Sequence, residues 1–192
     1  MQDTPQPFPA GIDLRERAVE LLTAVPPHAG LDAAEARIVV DAMRPVHLLA
    51  DTLLFEEGDA VDNDYTVLVL EGQVGVQSST GVEGEAMVIS LMGPGSLVGE
   101  MGVLDGASRA ASCTAITDVK LGVLSRESLL SLIDGHPGVA SHLLLRVSQS
   151  LSERLREGNR RLRTLSQVSR ALRAELDAAH AVNLRLLQAR EL

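Results

Sequence analysis

The chain has 192 residues, 45% of them hydrophobic, and a formal net charge of −9. That length and composition suit one packed domain with an appendage, and the charge excludes a broad grip on nucleic acid or anionic membrane, which needs a positive surface. The charge is unevenly divided: residues 1–144 hold 21 acidic and 7 basic side chains, whereas residues 145–192 hold 10 arginines and 5 acids.

Residues 1–11 carry Pro5, Pro7 and Pro9 without periodicity and read as a disordered arm. The basic and apolar regions of a signal peptide are missing there, so a cytoplasmic protein is expected. Residues 12–25 fit an amphipathic helix through Leu14, Ala18, Leu21 and Leu22, stopped by Pro26-Pro27. Residues 31–43 fit a second, with Asp32 as its cap and Ala33, Ala36, Ile38, Val39 and Met43 as its apolar residues. Together they make an N-terminal helical segment, 12–44.

The texture then changes. Short β-rich runs at 52–55, 65–70, 73–77, 87–91 and 113–124 alternate with Gly and Asp turns, such as Glu57-Gly58-Asp59, Glu71-Gly72, 81–84 and Gly93-Pro94-Gly95. Many short strands at this spacing predict an antiparallel barrel or jelly roll over 45–137. The fold class is therefore mainly β with flanking helices. Cys113, the one cysteine, falls inside a predicted strand and reads as a small buried hydrophobe, not a redox switch. A single thiol builds neither a disulfide framework nor a thiolate zinc site. Met87, Met92 and Met101 read as barrel packing. Ser125 is placed to cap a short helix reaching Ile133, with Glu127 in its first turn. Asp134-Gly135-His136-Pro137 breaks it.

Residues 138–192 contain no proline and only two glycines. Leu151, Leu155, Gly158, Leu162, Leu165, Ser169, Leu172, Leu176, Ala179, Asn183 and Leu186 recur at alternating intervals of four and three. That 3.5-residue repeat predicts a coiled coil and a homodimer through 138–192. An unbroken helix of this kind would extend on the order of 70 Å. No apolar run reaches ten residues, so no membrane span is expected. The arginines at 154, 156, 160, 161 and 163 allow two readings: a solvated flank pairing with Glu153 and Glu157, or a docking patch for an acidic partner or nucleic acid.

The chemistry is concentrated in Gly99-Glu100-Met101-Gly102-Val103-Leu104-Asp105-Gly106-Ala107-Ser108-Arg109-Ala110-Ala111-Ser112. Between Pro45 and Ser125 there are 12 acids but only two cations, Arg109 and Lys120. An arginine in such a setting is a candidate for one specific anion, because its fork donates two parallel bonds to a phosphate. The small residues Gly106, Ala107, Ala110 and Ala111 allow backbone N–H groups to approach the same phosphate. Glu100 would repel a phosphate but can accept hydrogen bonds from ribose hydroxyls. An acid for the sugar beside a base for the phosphate reads as a nucleotide site.

The segment resembles the phosphate-binding cassette of cyclic-nucleotide-binding domains, which occur in bacterial catabolite activators, protein kinase A regulatory subunits and nucleotide-gated channels. The regulatory-subunit pattern G-E-L-A-L-x-x-G-x-P-R-A-A-T runs through it without a gap. Gly99, Glu100, Gly106, Arg109, Ala110 and Ala111 match outright, while Ser112 replaces Thr and Ser108 replaces Pro. Phe55-Glu56-Glu57-Gly58-Asp59, Tyr65-Thr66-Val67-Leu68, Glu71-Gly72, Gly93-Pro94-Gly95-Ser96 and the hinge region 129–145 extend the resemblance over 31–160.

The resemblance implies that Glu100 binds the ribose 2′-hydroxyl and Arg109 the exocyclic phosphate. Backbone amides near Ala110 and Ala111, flanked by Gly99 and Met101, would complete the contacts. By the same resemblance, alanine at position 110 would lean towards cAMP over cGMP, and Ser112 would be a secondary polar contact. Asn159, on the long helix, offers a donor and an acceptor to the adenine edge. Leu97-Val98 replaces the aromatic that often precedes Gly-Glu in the family, and with only Phe8, Phe55 and Tyr65 as aromatics and no tryptophan, no aromatic lid over the base is expected.

The reading is a stand-alone cyclic-nucleotide sensor that binds cAMP, with cGMP second, and signals to an effector protein through its C-terminal helices. The alternative is a ligand-independent barrel and coiled-coil scaffold. Apart from the nucleotide, no cofactor is expected. The histidines at 28, 47, 136, 142 and 180 lack metal-ligand spacing, so no metal site is expected. No nucleophile–base pair accompanies Glu100 and Arg109, so an enzyme is not expected. Direct DNA binding is not expected either, because no base-reading helix-turn-helix pattern lies beside the arginines.

Overall fold

A computed structural model of the chain describes residues 14–24, 30–61, 63–79 and 86–189. The expected arm at 1–11, the Pro26-Pro27 stop and the turn at 81–84 lie outside the described residues.

Two helices open the described chain, α1 (Leu14–Thr23) and α2 (Ala33–Asp41). Asp32 caps α2 as expected and goes further. Its carboxylate accepts from the Glu35 amide at 2.8 Å, while Glu35 accepts from the Asp32 amide at 3.1 Å. The reciprocal pair satisfies two amides that the first helical turn leaves open.

Eight strands follow: β1 (Arg44–Leu48), β2 (Leu53–Phe55), β3 (Tyr65–Glu71), β4 (Val74–Ser79), β5 (Ala86–Met92), β6 (Leu97–Val98), β7 (Ser112–Ala115) and β8 (Val119–Ser125). They form two four-stranded sheets, ordered β1-β8-β3-β6 and β2-β7-β4-β5. All the pairs are antiparallel. The expected jelly-roll class is what the chain adopts. A core of Phe55, Val67, Val69, Val74, Val98, Cys113, Ala115, Val119 and Leu121 draws on both sheets. Each fully buried valine or leucine contributes about 1.5–3 kcal/mol relative to exposure.

Three details differ from the sequence reading. Arg44–Leu48 is a strand although it contains Pro45. It lies at a sheet edge, where a missing N–H is tolerated. Leu97–Val98 is a two-residue strand, too short for any periodic signal. The run read as one strand over 113–124 is two, β7 and β8, which belong to different sheets. The corner between them is held from outside. The Ile116 amide donates to the Gln73 carbonyl, and the Ala50 amide donates to the Asp118 carboxylate.

The remaining helices are α3 (Glu100–Asp105), α4 (Arg126–Gly135) and α5 (Pro137–Ala189). The Ser125 hydroxyl accepts from the Ser128 amide, so the expected cap of α4 is formed. The helix runs on to Gly135 instead of ending at Ile133, and His136 donates back to the Leu132 carbonyl. Pro137 then stands in the first position of α5, where its missing N–H costs nothing. Among the described residues, no helix is long and apolar enough to cross a membrane.

The chain divides into two compact units at Val147/Ser148, beyond the 137/138 boundary expected from the sequence. The first turns of α5 belong with the barrel because Val139, Ala140, Leu143 and Val147 are buried. Polar contacts add to this. The Arg146 guanidinium donates to the carbonyls of Leu22, Leu21 and Gly95 at 2.5, 3.0 and 3.2 Å. His142 Nδ1 lies 2.9 and 3.0 Å from the Glu35 carboxylate oxygens. The second unit, from Ser148, is helical through Ala189. On it Leu155, Leu162, Leu165, Val168, Leu172 and Leu176 are exposed. Glu157 pairs with Arg160 and Arg161, whose hydrogen bonds, that of Arg160 above all, hold its carboxyl below the ordinary carboxylate range.

Candidate functional site

The cassette begins where β6 ends. Gly99 sits at φ 80° as the N-cap of α3, a left-handed conformation that L side chains rarely adopt. A Cβ there would lie 2.7 Å from Arg109 Nη1, so glycine is required twice. Six residues of helix then carry the chain to Gly106, which ends α3 at φ 72° and donates to the Gly102 carbonyl. The loop beyond turns inward at Arg109.

Arg109 is held through both backbone and side chain. Its amide donates to the Asp59 carbonyl, and its carbonyl accepts from the Gly58 amide, both at 2.8 Å. Its Nη1 donates to the carbonyls of Tyr65 and Gly99, both at 3.0 Å. The guanidinium carbon lies 4.2 Å from the Phe55 ring centroid and 4.5 Å from that of Tyr65. Only 3% of the residue is exposed.

Glu100, the first residue of α3, is 4% exposed. It borders a small apolar cavity with Leu97, Val103, Leu124, Leu129 and Leu143. The cassette therefore abuts the helices that follow the barrel. Met101 and Ala110 are exposed, and Ala111 is half-buried. Ser112 opens β7, and its hydroxyl accepts from the Glu57 amide at 2.9 Å. Gly99 and Arg109 are thus brought into contact, and Ser112 is tied to the Glu57 turn. Asn159 is exposed on α5 and belongs to the second unit.

Three further residues, Phe55, Tyr65 and Asn63, support the cassette. In the sequence Phe55 and Tyr65 stand in motif positions without a role at the site, and Asn63 carries no signal at all. Its Nδ2 donates to the carbonyls of Ala107 and Gly106 at 2.7 and 3.2 Å, fastening the cassette to the β2–β3 connection. A Cβ on Gly102 would meet the Asn63 carbonyl oxygen at 2.6 Å, so the two segments lie in direct contact. Asn63→Ala is expected to cost about 1–2 kcal/mol, since two carbonyls lose their donor. Urea denaturation of the variant beside the wild-type chain measures this, and an unchanged midpoint would refute it.

Cys113 is fully buried, and burial pushes its thiol up from 9.0 to about 12, with nearby Arg109 pulling weakly the other way. The sign is that of an acid whose folded pKa is raised. Stability from this group is complete below pH 9.0 and declines as pH rises toward about 12. The thiol is expected to resist a colorimetric thiol reagent at pH 8 until the chain is denatured. Rapid labelling of the native chain would contradict that. Among the described residues, no cluster of three or more His, Cys, Asp or Glu side chains forms a metal site.

The chain is similar to proteins of one family. Residues 45–136 match the cyclic nucleotide-binding domain family. The chain is 39% identical over 113 residues to the cyclic AMP receptor protein of Thermus thermophilus, covering 59% of this chain and 49% of that one. It is 29% identical over 146 residues to the CRP-like cAMP-activated global transcriptional regulator of Mycobacterium tuberculosis, covering 76% and 62%. It thus spans less than two thirds of either regulator. A crystal structure of a cyclic nucleotide-binding domain from Methylobacillus flagellatus superimposes with a TM-score of 0.68 at 31% identity, covering 74% of this chain and 79% of that one. With the jelly-roll sheets, the cassette and its inward-turned arginine in place, the chain belongs to the cyclic nucleotide-binding domain family.

Proposed function

We propose that this protein is a cyclic-nucleotide sensor that binds cAMP, with cGMP as the weaker ligand. The observation that carries the reading is Arg109. It is the one arginine between Pro45 and Ser125, and the fold brings it inside the barrel against Gly99 of the same cassette. Its fork takes the cyclic phosphate, Glu100 takes the ribose 2′-hydroxyl, and amides near Ala110 and Ala111 complete the contacts. Ser112 is a secondary polar contact. The Thermus relative, a cyclic AMP receptor protein, supports cAMP as the ligand.

Output passes to an effector protein in the cytoplasm. Nucleotide binding favours one arrangement of α4 and α5 over another, a population shift that requires differential affinity for the two. The exposed stripe Leu155, Leu162, Leu165, Leu172 and Leu176 supports a homodimeric coiled coil. The same stripe favours the second reading, in which the barrel is a passive scaffold for assembly.

Titration calorimetry with cAMP, cGMP and 5′-AMP separates the two. Binding of a cyclic nucleotide but not of 5′-AMP is expected, and no heat from any of them in folded protein would leave only the scaffold. Sedimentation is expected to show a dimer.

A further inference from the structure

The chain contains three aromatic side chains, Phe8, Phe55 and Tyr65, and no tryptophan. Two of the three lie against the guanidinium of Arg109. Their rings meet edge to face, with centroids 6.4 Å apart and planes at 72°. The pair forms a corner into which the cation fits, each ring offering the electron-rich region that attracts it.

The corner is itself fixed. Phe55 belongs to the barrel core. The Tyr65 hydroxyl donates to the Leu54 carbonyl at 2.9 Å, which locks the ring beside the strand that carries Phe55. The Tyr65 carbonyl accepts from Arg109 Nη1, so one residue steadies the cation by ring and backbone together. Arginine has about 2 kcal/mol of rotamer entropy to lose on binding an anion. Here much of that loss is taken on folding, before any ligand arrives.

We infer that Phe55 and Tyr65 are positioning residues for the anion site: they hold Arg109 in the orientation that meets a cyclic phosphate, and so set affinity without touching the ligand. This rests on the cyclic-nucleotide reading. The two aromatic side chains among the described residues both serve the phosphate side of the site.

The test uses the full chain with Phe55→Leu and Phe55→Tyr. The first removes the ring at similar volume, and the second keeps it. Two readouts are taken, titration calorimetry with cAMP and the NMR signal of the Arg109 Nε–H group, assigned by its loss in Arg109→Lys. Ring currents are expected to shift that signal upfield in the wild-type chain and in Phe55→Tyr, and to lose much of the shift in Phe55→Leu. Affinity is expected to fall about tenfold in Phe55→Leu and to stay within about twofold in Phe55→Tyr. Tyr65→Leu against Tyr65→Phe repeats the comparison if Phe55→Leu does not fold.

An unshifted Arg109 signal in the wild-type chain overturns the inference, as does unchanged cAMP affinity once the ring is removed. Equal loss in Phe55→Leu and Phe55→Tyr also overturns it, because core packing would then explain the effect. Absence of any cyclic-nucleotide heat from the wild-type chain would instead remove the proposed function itself, and this role with it.

Discussion

Arg109→Lys is expected to weaken cAMP binding about a hundredfold while leaving the barrel folded. Lysine keeps the charge but presents one point donor group instead of a planar fork. It therefore loses the paired geometry for a phosphate. It also gives up the reach that lets Nη1 satisfy the Tyr65 and Gly99 carbonyls while the rest of the fork stays in the aromatic corner. Titration calorimetry measures the change, with circular dichroism as the check on folding. Affinity within about threefold of wild type would mean that the phosphate is held elsewhere. Binding would then fall to backbone amides, and the reading of Arg109 would be wrong.

The second large effect concerns stability and lies away from the nucleotide site. Arg146→Met is expected to cost about 3 kcal/mol. Methionine covers the same apolar surface but donates nothing to the carbonyls of Leu21, Leu22 and Gly95. Two of these carbonyls belong to the last turn of α1, which the helix itself cannot satisfy. Burial lowers the pKa of Arg146, so the charged guanidinium carries a desolvation cost, and removing its carbonyl partners' donor leaves those carbonyls unsatisfied. For a chain of this length the loss corresponds to a fall in Tm of about 6–12 °C. Arg146→Lys should recover only part, because three divergent carbonyls suit a fork better than a single ammonium. A calorimetric melt of Arg146→Met within about 2 °C of wild type would show that water replaces the donors.

The two arginines differ in how visible they are from sequence. Arg109 stands out because its neighbourhood is acidic and its flanks are small residues in a recognisable order. Arg146 lies in the basic C-terminal quarter, where one more arginine carries no signal. Its partner Leu22 lies 124 residues away, and the bonds are to backbone carbonyls, which have no sequence identity. Asn63 was hidden for the same reason, since its partners are the carbonyls of Gly106 and Ala107. Phe55 and Tyr65 were legible as motif residues but not as neighbours of Arg109, because Tyr65 and Arg109 are 44 residues apart.

By itself the sequence determined the features whose physics is local. The Asp32 and Ser125 caps act over three residues, the long helix declares itself by a 3.5-residue repeat, and the cassette is a contiguous run whose small residues and single arginine need no partner to be read. Only the tertiary structure decided which strands pair, where 113–124 breaks to change sheets, how far the barrel unit extends along α5, and what surrounds Arg109. These are long-range contacts, set by how two twisted sheets close around one core. Apart from the local β4–β5 hairpin, the two sides of each strand pair lie far apart in the chain, so no local pattern encodes them.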